Sequence, residues 1–207
     1  MQNTFADTLT DVTQKAPKDF LLNPQGVNLL QKTSQHPEPC SHPNVTRIEL
    51  PYLDFSVNVW LCQTPKHQIL IDTGGPNSTL LQQIPPQTSR PLYYLLTHEH
   101  PDHIGGLEDL RANYPSLTLY PHVDFVTIQT PGHCEKHVSY YHPSLEICFC
   151  GDALFAGSMG RANFDYAESI LSLHRLLDLP EQTILFPGHG PASTVKWEKE
   201  FNCFYTV

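Results

Sequence analysis

The chain has 207 residues, enough for one domain with an appendage and a sizeable buried core. Hydrophobic residues make up 40% and charged residues 16%, the balance of a soluble globular protein. A formal charge of −9 with no Lys/Arg-rich run excludes a broad nucleic-acid or anionic-membrane surface, leaving small molecules as the expected partners.

Residues 1–44 carry scattered acids and amides, one modest apolar patch, and then the proline-broken QHPEPCSHPN. This composition predicts an N-terminal extension, with the domain proper over 45–207. Cys40, His36 and His42 lack a second cysteine at ligand spacing, so no metal site is expected there. From Val45 the pattern changes to short apolar runs. VTRIEL, SVNVWLC and HQILID read as strands, the last ending at Asp72-Thr73-Gly74-Gly75. A helix is predicted over Ser78 to Ile84, stopped by Pro85-Pro86. PLYYLLT is a continuous apolar run, hence a strand buried on both faces, and it leads into His98.

A helix is expected over Asp102 to Asn113, then strands at SLTLYP, VDFVTIQT, HVSYYH and LEICFCGD. Ala167 to Leu177 has apolar residues at helical spacing, TILFPGHG is a strand running into a loop, and Thr194 to Phe201 is a closing helix. Two sets of strands with helices interleaved imply an α/β fold, two sheets covered by helices on their outer faces. No stretch reaches the ~18 apolar residues of a membrane span. No signal-peptide core precedes Arg47, the first arginine, and the six cysteines form no CxxC pair. Free thiols in the cytoplasm are therefore expected, with Cys148 and Cys150 on one side of their strand.

The run THEHPDHIGG, residues 97–106, is the densest chemistry in the chain. His98 and His100 leave an extended chain on the same side, and Asp102 and His103 follow where a helix begins. Imidazole with carboxylate suits zinc, iron or manganese. Adjacent Asp102 and His103 cannot easily reach the ion held by the first pair, and two ions sharing the loop relieve that difficulty. Further ligands are then needed at strand ends on the same rim. His133 in TPGHCEKH, Asp152 in LEICFCGD and His189 in LFPGHG each follow an apolar strand beside a glycine.

THEHPDH resembles the HxHxDH motif of the metallo-β-lactamase superfamily, and ILIDTGG, TPGH, CGDALF and FPGHG are similar to its other four motifs, in order. The resemblance covers roughly residues 45–207 and implies an αββα sandwich, two mixed sheets flanked by helices, with metals at one edge. It implies two divalent ions, zinc foremost, with iron or manganese as alternatives. His98, His100 and His133 would hold the first, Asp102, His103 and His189 the second, and Asp152 would bridge them. Asp72 would orient the site, so that Asp102 and Asp72 are the acids of the catalytic centre.

GDALFAGSMGR and PGHGPASTVKWEKE are most similar to the glyoxalase II-like hydrolases, which cleave S-hydroxyacyl-glutathione thioesters. That resemblance implies a glutathione site involving Arg161, Tyr140 and Tyr141. Three features depart from the family. No counterpart of the family's helical C-terminal domain is expected in the few residues after the PGHG motif, the interval from His103 to His133 is short, and GHCEKH stands where the family has a GHTxGH-like run. Cys134 thus replaces a hydroxyl, and His137 matches the second histidine in a supporting role. The activity implied is hydrolysis of a thioester or ester by a metal-bridging hydroxide, with no Ser or Cys nucleophile. A persulfide dioxygenase using one iron on His98, His133 and Asp152 is the nearest alternative; a non-catalytic, zinc-stabilised protein is the second.

Overall fold

The computed structural model describes residues 40–84, 90–121 and 123–205. Strands β1 (Val45–Tyr52) and β2 (Phe55–Gln63) form an antiparallel hairpin, and β3 (Gln68–Ile71) adds antiparallel to β2. Strands β4 (Leu92–Leu95) and β5 (Thr118–Leu119) then follow parallel to β3, giving the order β1-β2-β3-β4-β5. The second sheet comprises β6 (Val126–Gln129), β7 (Val138–His142), β8 (Ile147–Gly151), β9 (Ile184–Pro187) and β10 (Ser193–Thr194). Its order is β10-β9-β8-β7-β6, with β8 and β9 parallel and the other pairs antiparallel. Each sheet is thus drawn from one continuous half of the described chain.

Period-two alternation divides the apolar residues between the two faces of each sheet. Trp60, Ile69, Ile71 and Leu95 of the first sheet meet Tyr140, Ile147, Phe149 and Phe186 of the second. The Trp60 and Phe186 rings lie 4.7 Å apart, and Phe149 stacks on Phe186 at 5.3 Å. On the outer face of the first sheet, Val59, Leu61 and Leu70 pack under α1 (Leu80–Gln83) and α3 (Leu107–Asn113). On the outer face of the second, Cys148, Cys150 and Leu185 pack under α4 (Tyr166–Leu177) and α5 (Val195–Phe201). The architecture is an αββα sandwich. Both outer helices of the second sheet begin with a side-chain cap, Asp165 accepting from Glu168 N and Thr194 from Trp197 N.

Some elements differ from their sequence-based expectation. The helix expected over 102–113 is two, α2 (Pro101–Ile104) and α3, separated by Gly105-Gly106. Gly106 N donates to Gly74 O at 2.9 Å, and a Cβ on Gly106 would stand 2.2 Å from Thr73 O. The break therefore lets the loop after β3 press against the histidine-rich segment. The helix expected over 78–84 is the single turn of α1, and the strand expected over 116–121 keeps two residues. Chain before Val45 joins the first sheet: Gln63 N donates to Asn44 O and Asn44 Nδ2 to Gln63 O, both at 2.7 Å. Cys40 packs against the inter-sheet core; His36 lies outside the described residues. No helix among the described residues is long and apolar enough to cross a membrane.

Candidate metal centre

Parallel pairing of β3 with β4 and of β8 with β9 brings four strand C-termini to one edge of the sandwich. There β3 delivers Asp72, β4 the 97–103 segment, β8 Asp152 and β9 the turn carrying Gly188 and His189. The loop between β6 and β7 adds His133. The site is built from strand ends, where side chains converge without interrupting a sheet.

Hydrogen bonds fix the direction of the imidazoles. Backbone carbonyls only accept, so His133 Nδ1 donates to Arg161 O at 2.8 Å and His189 Nδ1 to Ser56 O at 2.6 Å. Asp72 gathers three donors: Thr97 N at 2.8 Å, Thr97 Oγ1 at 2.8 Å and His103 Nδ1 at 2.7 Å. With its proton committed to Asp72, Thr97 Oγ1 accepts from His98 Nδ1 at 3.0 Å. All four rings therefore turn an Nε2 lone pair inward, the orientation that metal-ligating histidines need.

The inward atoms form three overlapping groups, each compact enough for one ion: His98 with His100 and His133; His98 with His103 and Asp152; and Asp102 with His103 and His189. Together these are the seven residues expected from the sequence. Asp152 stands between them, its Oδ1 3.3 Å from His103 Nε2 and its Oδ2 3.4 Å from His133 Nε2 and 3.5 Å from His189 Nε2. Asp102 Oδ2 is 3.4 Å from His189 Nε2. His103 Nε2 and Asp152 Oδ1 are buried with no hydrogen-bond partner, although one is a strong donor or acceptor and the other a carboxylate oxygen. A shared cation satisfies both atoms at once, so the residues fit divalent metal.

Charge makes the same demand. Burial opposes a proton on His189, yet Asp152 and Asp102 raise its pKa to about 10. Burial likewise opposes a charged His103, and Asp152 and Asp72 outweigh it, raising its pKa well above the ordinary value. Asp152, despite burial, is held far below the usual carboxylate range by His103 and His189. Three carboxylates thus hold protons on these imidazoles, and a bound cation would displace those protons.

His137 serves differently. Its Nε2 accepts from Asp152 N at 3.1 Å and its Nδ1 donates to Thr130 Oγ1 at 2.9 Å, while burial lowers its pKa to about 3. It is a neutral ring that places Asp152. The tyrosines expected near substrate belong to the packing instead. Tyr140 is buried in the inter-sheet core with its hydroxyl donating to Leu96 O at 2.7 Å, and neighbouring Tyr141 points to the opposite face, against the cluster under α4. Successive residues of a strand face opposite sides, so the pair cannot line one pocket. Arg161 is exposed, and its carbonyl, rather than its charge, is the group that meets His133. Sequence reading missed Thr97, which sits inside the histidine motif, and the Ser56 carbonyl, which carries no side-chain signal.

A family model described as the metallo-β-lactamase superfamily matches residues 52–125 and 116–189. The chain is similar to hydroxyacylglutathione hydrolase of Erwinia tasmaniensis, 34% identical over 155 residues, covering 63% of this chain and 61% of that protein. It spans about three-fifths of such relatives. It is also similar to YqgX of Bacillus subtilis, named a probable metallo-hydrolase, with 28% identity over 75% of this chain and 95% of that protein. Among solved structures, TTHA1623 in a di-iron-bound form superposes with a TM-score of 0.67 at 29% identity, covering 76% of this chain and all of the other. Motifs, sandwich and strand-end cluster agree with the family match: the chain belongs to the metallo-β-lactamase superfamily.

Proposed function

We propose that the protein is a metal-dependent hydrolase that cleaves a thioester of the S-hydroxyacyl-glutathione type. The observation that carries this reading is the set of inward Nε2 lone pairs around the two carboxylates. Divalent ions held there supply Lewis acidity for the carbonyl and water of lowered pKa as nucleophile. The remaining chemistry falls to the chain. His98, His100 and His133 would hold one ion and Asp102, His103 and His189 the other, with Asp152 available to both. Asp72 and Thr97 keep His103 and His98 turned inward. No side-chain nucleophile is required, and burial, with Asp152 adding to it, raises the Cys134 pKa, so its thiol stays protonated. His189, locked to Ser56 O, is oriented as firmly as His133, which favours two ions over a mononuclear iron site on His98, His133 and Asp152. All six cysteines are free, which supports a cytoplasmic setting.

The test is hydrolysis of an S-hydroxyacyl-glutathione by protein carrying two ions, abolished by a chelator and restored by zinc, manganese or iron. Absence of metal-dependent hydrolysis, with oxygen uptake on a persulfide, would replace this reading by the dioxygenase. Arg161 then tests the carrier. A charge-assisted bond to a glutathione carboxylate contributes about 1.5–3 kcal/mol, so Arg161→Ala should raise KM for the glutathione thioester by about 10- to 100-fold with little change in kcat. A neutral thioester with the same acyl group should be unaffected. Equal changes on both substrates would remove Arg161 from carrier binding.

A further inference from the structure

The segment from Asp152 to Arg161 touches the metal centre at both ends. It begins with the Asp152 carboxylate and ends with the carbonyl that orients His133. Between them the chain folds into a tight turn, Phe155 N donating to Ser158 O at 3.0 Å and Ser158 N to Phe155 O at 2.9 Å. Gly160 N returns to Asp152 O at 3.1 Å, and the Phe155 ring lies 5.6 Å from that of His189.

What holds this turn is a buried acid and amide at the C-terminal end of the described chain. Glu198 of α5 and Asn202, which ends that helix, are both fully buried. Gly157 N donates to the two Glu198 oxygens at 3.2 and 3.1 Å, and Asn202 Nδ2 donates to Glu198 Oε2 at 2.7 Å and to Ser158 O at 2.9 Å. Cys203 N donates to Gly157 O at 3.2 Å, and Phe204 N to Asn202 Oδ1 at 3.0 Å. Burial raises the Glu198 pKa to about 7 in spite of these donors. An apolar side chain would fill the space without a desolvation penalty, but it would not fix the direction of the Gly157 amide.

We infer that Glu198 and Asn202 are positioning residues that grip the turn at Gly157–Ser158 and thereby hold Asp152 and His133 in their metal-binding geometry. The inference rests on the reading that these groups bind divalent ions. Glu198→Gln keeps the shape but turns one acceptor into a donor, and because Gly157 N donates to both oxygens, at 3.2 and 3.1 Å, the new donor faces that amide in either orientation. Asn202→Ala removes the tie to Ser158. The control is Ile147→Ala, a fully buried truncation at the end of β8 away from Asp152.

Zinc affinity, read by competition with a chelating dye, should fall at least about fivefold in Glu198→Gln and Asn202→Ala, within reach of the 10- to 100-fold typical of residues that support ligands directly. Ile147→Ala should lower Tm at least as far and leave zinc affinity within about twofold. A wild-type measurement covers the case in which neither variant folds. By reciprocity, zinc should slow amide hydrogen exchange in residues 153–160 and 198–204 together. Affinity in both variants within about twofold of wild type, or protection gained at 153–160 but not at 198–204, overturns the inference. Wild-type protein that binds no zinc overturns the metal reading and this inference with it.

Discussion

Replacing Asp152 by alanine is expected to reduce the metal content of the purified protein from about two ions per chain to below one. Its carboxylate is the group shared between both ends of the cluster, within 3.5 Å of His103, His133 and His189. Without it the imidazoles face one another with Asp102 as the remaining inward carboxylate, and each bound cation would lose a negative ligand. Hydrolysis should fall by more than the roughly 100-fold seen for residues that merely support ligands. Metal analysis after dialysis against a weak chelator reads the stoichiometry, with His36→Ala as the unaffected comparison. Two tightly held ions in Asp152→Ala would remove the bridging role.

Gly188→Ala should approach the same outcome by a steric route. A Cβ at that position would stand 2.2 Å from Asp152 Oδ1 and 2.6 Å from His103 Cε1, both inside any allowed contact. His103 is held by Asp72 through Nδ1 and cannot retreat without breaking that bond, while the Asp152 carboxylate can yield only by turning out of the cluster. Zinc affinity should drop at least about tenfold, the scale of a displaced ligand. Isothermal titration with zinc checks this, and an unchanged affinity would mean that the strand-end loops yield more readily than their hydrogen bonds imply.

That glycine illustrates what the amino-acid order discloses. The site was legible because each of its ligands is a side chain at the end of an apolar run, so local pattern alone aims them at one rim. Gly188 beside His189 could be marked as a place of close approach, although the atoms approached could not be named. Elements set by distant contacts were hidden. The break at Gly105-Gly106 depends on Thr73 and Gly74, and nothing within a helical window announces them. Tyr140 and Tyr141 looked alike in the chain, and only the register of β7 against β8 shows that one faces the inter-sheet core. Glu198 carried no signal within its helix, because its partners, Gly157 and Asn202, contribute an amide that any residue possesses and a side chain one turn away.

The division of the two sheets between two halves of the chain has a mechanical consequence. No strand crosses from one sheet to the other among the described residues, so their cohesion comes from interdigitated side chains and the connections between them. Hydrogen bonds such as Asn58 N to Gly188 O also cross between them, and so does the cluster: His98 to His103 belong to the first half, while His133, Asp152 and His189 belong to the second. Ions bound there would act as a clasp at the open edge of a two-leaved book. Their binding energy would then be cohesion between the leaves, linking the unfolding of one to that of the other. Drawing the ions out would leave that edge to apolar contact and to a few hydrogen bonds, among them Trp60 Nε1 to Pro187 O and Val138 N to Thr97 O, so the seam there would be weaker.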